Sequence, residues 1–522
     1  MVSDIFPKAM SLSAIGVAPY IILVAYMLVL CSVAYVSRKK SSTLDSFFMA
    51  DRGLGGWMSA FSYGATYFSS VVFIGYAGKL GWGMGLGAVW IGIANAVFGS
   101  FLAWKVLGGK TRSMTRRIGA TTMPQFFEKR YQSINMRLLS SIIIFVFLIP
   151  YSTSVYQGIG YLFELVFGID FIYCIIIMAA LTSLYLFSGG YFATALSDFF
   201  QGLIMFVVVF FMVFALLRAP QVGGGQGLER LVEMGHGFFP SLDAPSGKLI
   251  DSPGFNLFIL VLLTSFGVWA MPQCVHKYYA VKDNAAIKKA TIVSTVFAFI
   301  IGVGAYFSGS LSRLFFSAVP AGGVDTIMPN MFMQAGFSGI LLGFVMVLML
   351  SASMSTLASL SLSGSSAVAI DFYKGYINRQ APEKKVKLIL RILCIVFVIL
   401  SAVLAIVQLD VIVTMMSLSW GTLAGCFLGP YIFGIYSKKA SSIGAWISII
   451  GGLVTTFSLI IVFAILDAPK GATVIEFIKA GIGRSPLIGV VTMIQSLVIM
   501  ALASKFAPME NKEHIEHCFA DN

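Results

Sequence analysis

Apolar residues along this chain run in long blocks parted by short polar ones. Blocks long enough to cross ~30 Å of hydrocarbon as helix lie at 16–36, 54–78, 83–107, 138–166, 170–188, 193–217, 254–276, 289–311, 336–369, 388–408, 411–436, 441–466 and 485–503. This pattern predicts an all-α integral membrane protein with about 13 transmembrane helices. The longest polar excursion, 218–253, includes VGGGQG and reads as a capping loop. The remaining connections are short, so residues 1–522 are expected to form a single membrane domain.

Two blocks are interrupted in a way that bears on function. The second contains AFSYGATYFSSVVFIGYAGKLGWGMG, with Gly64, Gly75, Gly78 and Gly81 along it. The seventh contains TSFGVWAMPQCV, where Gly267 and Pro272 bracket Trp269. Gly and Pro open the helical ladder, and freed carbonyls at membrane depth persist only where something polar satisfies them. The two blocks sit five apart, as the first members of two five-helix repeats would: about 54–217 and about 254–436. Peripheral helices, about 16–36 and about 441–503, flank them. Interrupted segments at matching positions of two halves are a pointer to a binding site. Close helix packing is the competing reason for the glycines.

Composition fixes the solvent. Hydrophobic residues make up 58% and charged residues 11% of 522 positions, and mean hydropathy is +0.90. A soluble surface could not be built from so few polar side chains. With the N-terminus outside, the connections on the inner side hold 26 of the 35 Lys and Arg, including a group from Lys277 to Lys289. That bias predicts a multi-pass cell-membrane protein with an outer N-terminus and a cytoplasmic C-terminus. The net charge of +13 then needs no nucleic-acid partner, because basic inner loops face anionic lipid. The first block leads into SRKK without a small-residue cleavage site and is read as a true span. The six cysteines form no CxxC or other metal-ligand spacing, which leaves no disulfide framework and no zinc site.

The stretch SASMSTLASLSLSGSS, 351–366, carries a hydroxyl on nine of its sixteen residues inside the ninth block. At 100° per residue, Ala352, Ser355, Thr356, Ser359, Ser363 and Ser366 share one stripe. Hydroxyls bonded back to their own helix explain Ser361, Ser363, Ser365 and Ser366. The adjacent pair Ser355–Thr356, on the face of the small Ala352, points instead to a cation. A hard monovalent ion such as sodium takes about five oxygens, which hydroxyls and freed carbonyls supply without net charge. Asp198, in GGYFATALSDFFQGLIMF and on the face of Gln201, is an acid within a membrane segment and hence a functional-site hypothesis. A position reaching cytoplasmic water is its alternative.

Six stretches, in sequence, resemble motifs of the sodium:solute symporter family, the sodium-coupled carriers of sugars, proline, pantothenate and sialic acid. They are STLDSFFMADRGLGGW, TTMPQFFEKRY, SGGYFATALSDFFQG, MPQCVHKYYAVKD, MSTLAS and SWGTLAGCFLGPYIFGIYSKK. The resemblance runs from about residue 16 to 440. It implies a leucine-transporter-like (LeuT-like) core of two inverted five-helix repeats with broken helices, working by alternating access, with one chain as the functional unit. By motif position it implies sodium held by the carbonyls of Ala65, Phe68 and Ala352 and the hydroxyls of Ser355 and Thr356. A second cation site would use Asp198 and Ser359, but Ala352 and Ala358 lack hydroxyls that various members use, so one sodium per solute is expected.

The solute would lie between the two broken helices, near Tyr67, Ser69, Tyr151, Gln157 and Trp269. Position 67 is tyrosine where proline carriers have an acid, and Val72 replaces a hydroxyl used by sialic acid carriers. No arginine lies deep in the fourth block to receive an anionic sugar acid. A small neutral or zwitterionic solute follows: an amino acid, osmolyte, vitamin or sugar. Proton coupling through Asp198 is the alternative. An intramembrane enzyme or sensor is the remote one, since HExxH and GxSxG are both lacking, and no enzyme activity is expected.

Overall fold

A computed structural model describes residues 16–37, 52–188, 191–244, 246–506 and 511–520. Arg38–Lys40, most of STLDSFFMADRGLGGW, and Gly189 and Gly190 lie outside the described residues. The described chain is helical, and each apolar block coincides with helix. In chain order these are α1 (Ala18–Ser37), the half-helices α2 (Gly56–Tyr67) and α3 (Ala77–Met84), and a composite of α, 3-10 and π turns over 85–117. Then follow α4 (Ile134–Phe167), α5 (Phe171–Ser188), α6 (Tyr191–Arg218), α7 (Pro253–Gly267), α8 (Pro272–Tyr279), α9 (Asn284–Ser310) and α10 (Gly339–Ser366). The last four are α11 (Glu383–Val407), α12 (Ile412–Tyr436), α13 (Ser442–Asp467) and α14 (Ser485–Phe506). Among the described residues, ten segments are long and apolar enough to cross a membrane.

Local chemistry sets the ends. Ser252, Asp283 and Ser338 cap α7, α9 and α10 by accepting from the N–H of Phe255, Ala286 and Leu341, which satisfies donors the first turn leaves orphaned. Burial sorts centre from rim. The most apolar stretch of α12 is 94% buried, that of α13 only 22%. The exposed Ile443, Ile447, Ile450 and Val454 give α13 a lipid face, while α12 fills the core.

The two interrupted helices break for different reasons. In the first, α2 stops at Tyr67; Phe68 is extended (φ −101°, ψ 97°) and helix resumes at Ser70 through a π turn, Val72–Tyr76. None of the four glycines sits at the break. They are places where neighbours press in: Phe297 on Gly64, Ile412 on Gly75, Met328 on Gly78 and the Gly309 backbone on Gly81. In the second, a 3-10 turn, Val268–Ala270, is followed by extended Met271 (φ −75°, ψ 117°) and Pro272 at the start of α8. A residue before proline is pushed out of the helical region, and proline then opens the next helix without wasting a donor.

The far ends of both broken helices are tied together. The Leu54 N–H donates to the Ala280 carbonyl at 3.2 Å, and the Lys282 N–H to the Leu54 carbonyl at 3.0 Å. Arg112 and Arg116 clamp the carbonyls of Val281 and Lys282. At the other end of the bundle the expected capping segment 218–253 contains a helix, Gly225–Glu233, and lies on the composite helix: Leu86 N–H and Trp90 Nε1 donate to the carbonyls of His236 and Phe238.

Candidate cation and solute sites

The unbroken α10 passes the open end of α2, and the hydroxyl pair meets it there. Ser355 Oγ donates to the Ala65 carbonyl at 2.9 Å and lies 3.0 and 3.2 Å from the carbonyls of Ser351 and Ala352. Thr356 Oγ1 is 3.3 Å from the Ala65 carbonyl and 3.4 Å from that of Thr66. All are buried. A helix end aims its last carbonyls outward, so the break presents them to α10. Phe68 is the extended, fully buried residue of the break. The group is oxygen-rich and uncharged. Hydroxyls both donate and accept, so Ser355 and Thr356 can turn their protons aside and offer lone pairs to a hard cation beside the carbonyls of Ala65, Thr66 and Ala352. Thr66 was not foreseen; its carbonyl joins because the helix ends one residue later.

Asp198 and Ser359 are also together, with a third residue between them. Lys277 Nζ lies 2.8 Å from Ser62 Oγ, 3.2 Å from Asp198 Oδ2 and 3.3 Å from Ser359 Oγ. Ser62 Oγ donates to Asp198 Oδ2 at 2.6 Å, and Thr66 Oγ1 and Ser359 Oγ are 3.0 Å apart. The Asp198 and Lys277 side chains are 0% and 1% exposed. The alternative position for Asp198, reaching cytoplasmic water, is therefore not the one observed. Gln201 turns away from it and donates to Tyr26 Oη at 3.1 Å. Lys277, grouped from the sequence with the inner-loop cations, is in the core. The apolar and aromatic residues beside it, in CVHKYY, were the available signal.

Of the expected solute residues, Tyr67 and Tyr151 come together through Trp420. The Tyr67 ring stacks on Trp420 (6.0 Å, 22°) and Tyr151 meets it edge-on (5.8 Å, 85°). Tyr67 Oη donates to the Thr264 carbonyl at 2.8 Å, and Asn95 Oδ1 accepts from Thr264 and Ser265. Ser69 stays at the break, accepting from the Val71 N–H at 3.2 Å. Gln157 points to the Asp410 carbonyl at 3.4 Å, and Trp269 donates to the Phe98 carbonyl at 3.0 Å; neither joins the aromatic group. Among the described residues, Trp420 Nε1 and both amide atoms of Gln273 are buried without a hydrogen-bond partner. Unmet polar groups in a buried site are positions where a ligand can bond. Trp420 and Gln273 lie in two of the motifs but were not picked out as solute residues.

Comparison with known proteins gives the family. The sodium:solute symporter family model matches residues 47–452. This chain belongs to that family. It is 26% identical over 497 residues to the osmoregulated proline transporter OpuE of Bacillus subtilis (strain 168), covering 93% of this chain and 94% of that one. It is 27% identical over 457 residues to a sodium/proline symporter of Staphylococcus aureus, covering 85% of each. Among solved structures, an outward-open, substrate-bound sodium-coupled sialic acid symporter superposes with a TM-score of 0.73 at 21% identity, over 95% of this chain and 99% of that one. The nucleobase-cation symporter MHP1 gives a TM-score of 0.50 at 14% identity over 90% of this chain. The symporter family and the multi-pass membrane fold are thus established.

Proposed function

We propose that this symporter imports a small neutral or zwitterionic organic solute by alternating access, driven by one sodium ion bound at Ala65, Phe68, Ala352, Ser355 and Thr356. The observation that carries this reading is the meeting of the Ser355–Thr356 pair with the carbonyl end of α2. A cation held there bridges a broken helix and an unbroken one, so its arrival alters how the two pack. The aromatic group of Tyr67, Tyr151 and Trp420 suits the alkyl or ammonium part of a zwitterion. The carboxylate of such a solute can use uncharged donors such as the Gln273 amide and N–H groups at the breaks. The thirteen helices would span the cell membrane with the N-terminus outside.

The energetics suffice. One charge moving through 100 mV supplies ~2.3 kcal/mol, and a tenfold sodium gradient ~1.4 kcal/mol. Together they sustain roughly 500-fold accumulation of a neutral solute.

Uptake of labelled solutes into proteoliposomes, starting with proline because relatives carry that name, tests the proposal. Accumulation is expected with an inward sodium gradient and is lost when choline replaces sodium. Uptake that follows a proton gradient and ignores sodium would overturn it.

A further inference from the structure

The first cation site is made of neutral oxygens, whereas the neighbouring one contains a full negative charge. Its oxygens come from α2 (Ser62), α6 (Asp198) and α10 (Ser359), and the ammonium of Lys277 arrives among them on α8. We propose that Lys277 is a tethered cation that fills the second cation site, so that a second sodium is neither needed nor admitted. The inference rests on the sodium reading for the identity of the mobile ion.

The donor chemistry fits. A lysine ammonium carries protons to share among several acceptors, and the oxygens of Ser62, Asp198 and Ser359 stand within 3.3 Å of Nζ. The oxygens are themselves braced, Ser62 by donating to Asp198 and Ser359 by its contact with Thr66. Charge agrees too. Asp198 alone would be an uncompensated anion in the core, and one monovalent cation neutralises it. With Lys277 in place, an added sodium would leave a buried positive charge without a partner, which a low-dielectric interior strongly disfavours. The location also fits a cation site rather than a stray ion pair. Ser62 and Ser359 lie one turn from Ala65 and Ser355 on the same two helices, so both groups of oxygens belong to one seam.

Equilibrium binding of radioactive sodium to the purified full chain tests this by counting ions. Lys277→Ala is expected to bind one more sodium per chain than the unsubstituted protein. Lys277→Arg, which keeps the charge, should gain none, and Lys277→Ala/Asp198→Asn should lose the gain. Equal counts for Lys277→Ala and the unsubstituted protein would overturn the proposal, as would an extra ion that survives Asp198→Asn. A measurement independent of the variants is sodium saturation of the unsubstituted chain. A single-site curve is expected, and two bound sodium ions per chain would overturn the tethered cation whether or not any variant folds. The two readings separate cleanly: the difference between variant and parent tests Lys277, while a parent that binds no sodium contradicts the sodium reading alone.

Discussion

The Ser355 hydroxyl donates to the Ala65 carbonyl at 2.9 Å, across the seam between an unbroken helix and the open end of a broken one. Removing either neighbouring hydroxyl takes one oxygen from the proposed ion. Ser355→Ala and Thr356→Ala are each expected to raise half-saturating sodium for uptake about tenfold, equivalent to ~1.4 kcal/mol. Ser366 bonds its own helix at the Ser363 carbonyl, so Ser366→Ala should leave sodium dependence unchanged. Sodium titration of uptake checks all three.

Asp325, in the connection between α9 and α10, accepts from the Ile412 N–H at 3.0 Å and so caps α12 from outside its own segment. Burial pushes its carboxyl up to about 6; the Ile412 N–H and Lys79 pull the other way, and Asp410 adds to the rise. An acid whose folded value is raised binds its proton more tightly folded than unfolded. Its contribution is fully present below the unfolded value near 4 and is lost as pH rises through about 6. Asp325→Asn keeps an acceptor for the cap and removes the charge. Unfolding temperature of this variant should vary less than that of the parent between about pH 4 and 7, whereas Asp325→Ala should be less stable than Asp325→Asn throughout.

Arg137 joins three elements. It donates to Asp371 at 3.0 Å, to Glu128 at 2.8 Å and to the Ile370 carbonyl at 3.1 Å, while Thr122 also donates to Asp371. Asp371 is fully buried and Glu128 is 24% exposed. Arg137→Ala strands a buried carboxylate and is expected to cost about 3 kcal/mol. Glu128→Ala should cost less than about 1 kcal/mol. Denaturant titration of the purified variants distinguishes them.

The second half of the first broken helix, α3, packs backbone to backbone against α9. A Cβ on Gly309 would fall on the Ala77 carbonyl, whereas one on Gly83 would meet open space. Gly309→Ala should destabilise the protein by about 1–3 kcal/mol and impair uptake. Gly83→Ala should leave both nearly unchanged, as melting curves and uptake rates will report.

The sequence carried the helices because apolar length is a one-dimensional property. It carried the second break for the same kind of reason: Pro272 acts on its immediate neighbours. The first break was placed in the right block on the wrong evidence. Its glycines serve packing by Phe297, Ile412, Met328 and Gly309, and Phe68–Ser69 has no local signature of non-helical backbone. Ser355 and Thr356 were legible because helical periodicity sets them on one face. Lys277 was not, since its partners lie on three other helices at separations of 79 to 215 residues. The same long separation hid Trp420, which meets Tyr67 and Tyr151 only in the folded bundle.

The most direct test of sodium binding at the α2–α10 seam needs no solute. Unfolding temperature of the purified protein would be recorded in sodium, lithium, potassium and choline chloride at equal ionic strength. A ligand at 100 times its dissociation constant stabilises by ~2.7 kcal/mol, a readily measured rise. The expected result is a rise in sodium over potassium and choline that disappears in Ser355→Ala/Thr356→Ala. The same rise persisting in that double variant, or equal temperatures in all four salts, would contradict the assignment of sodium to this seam.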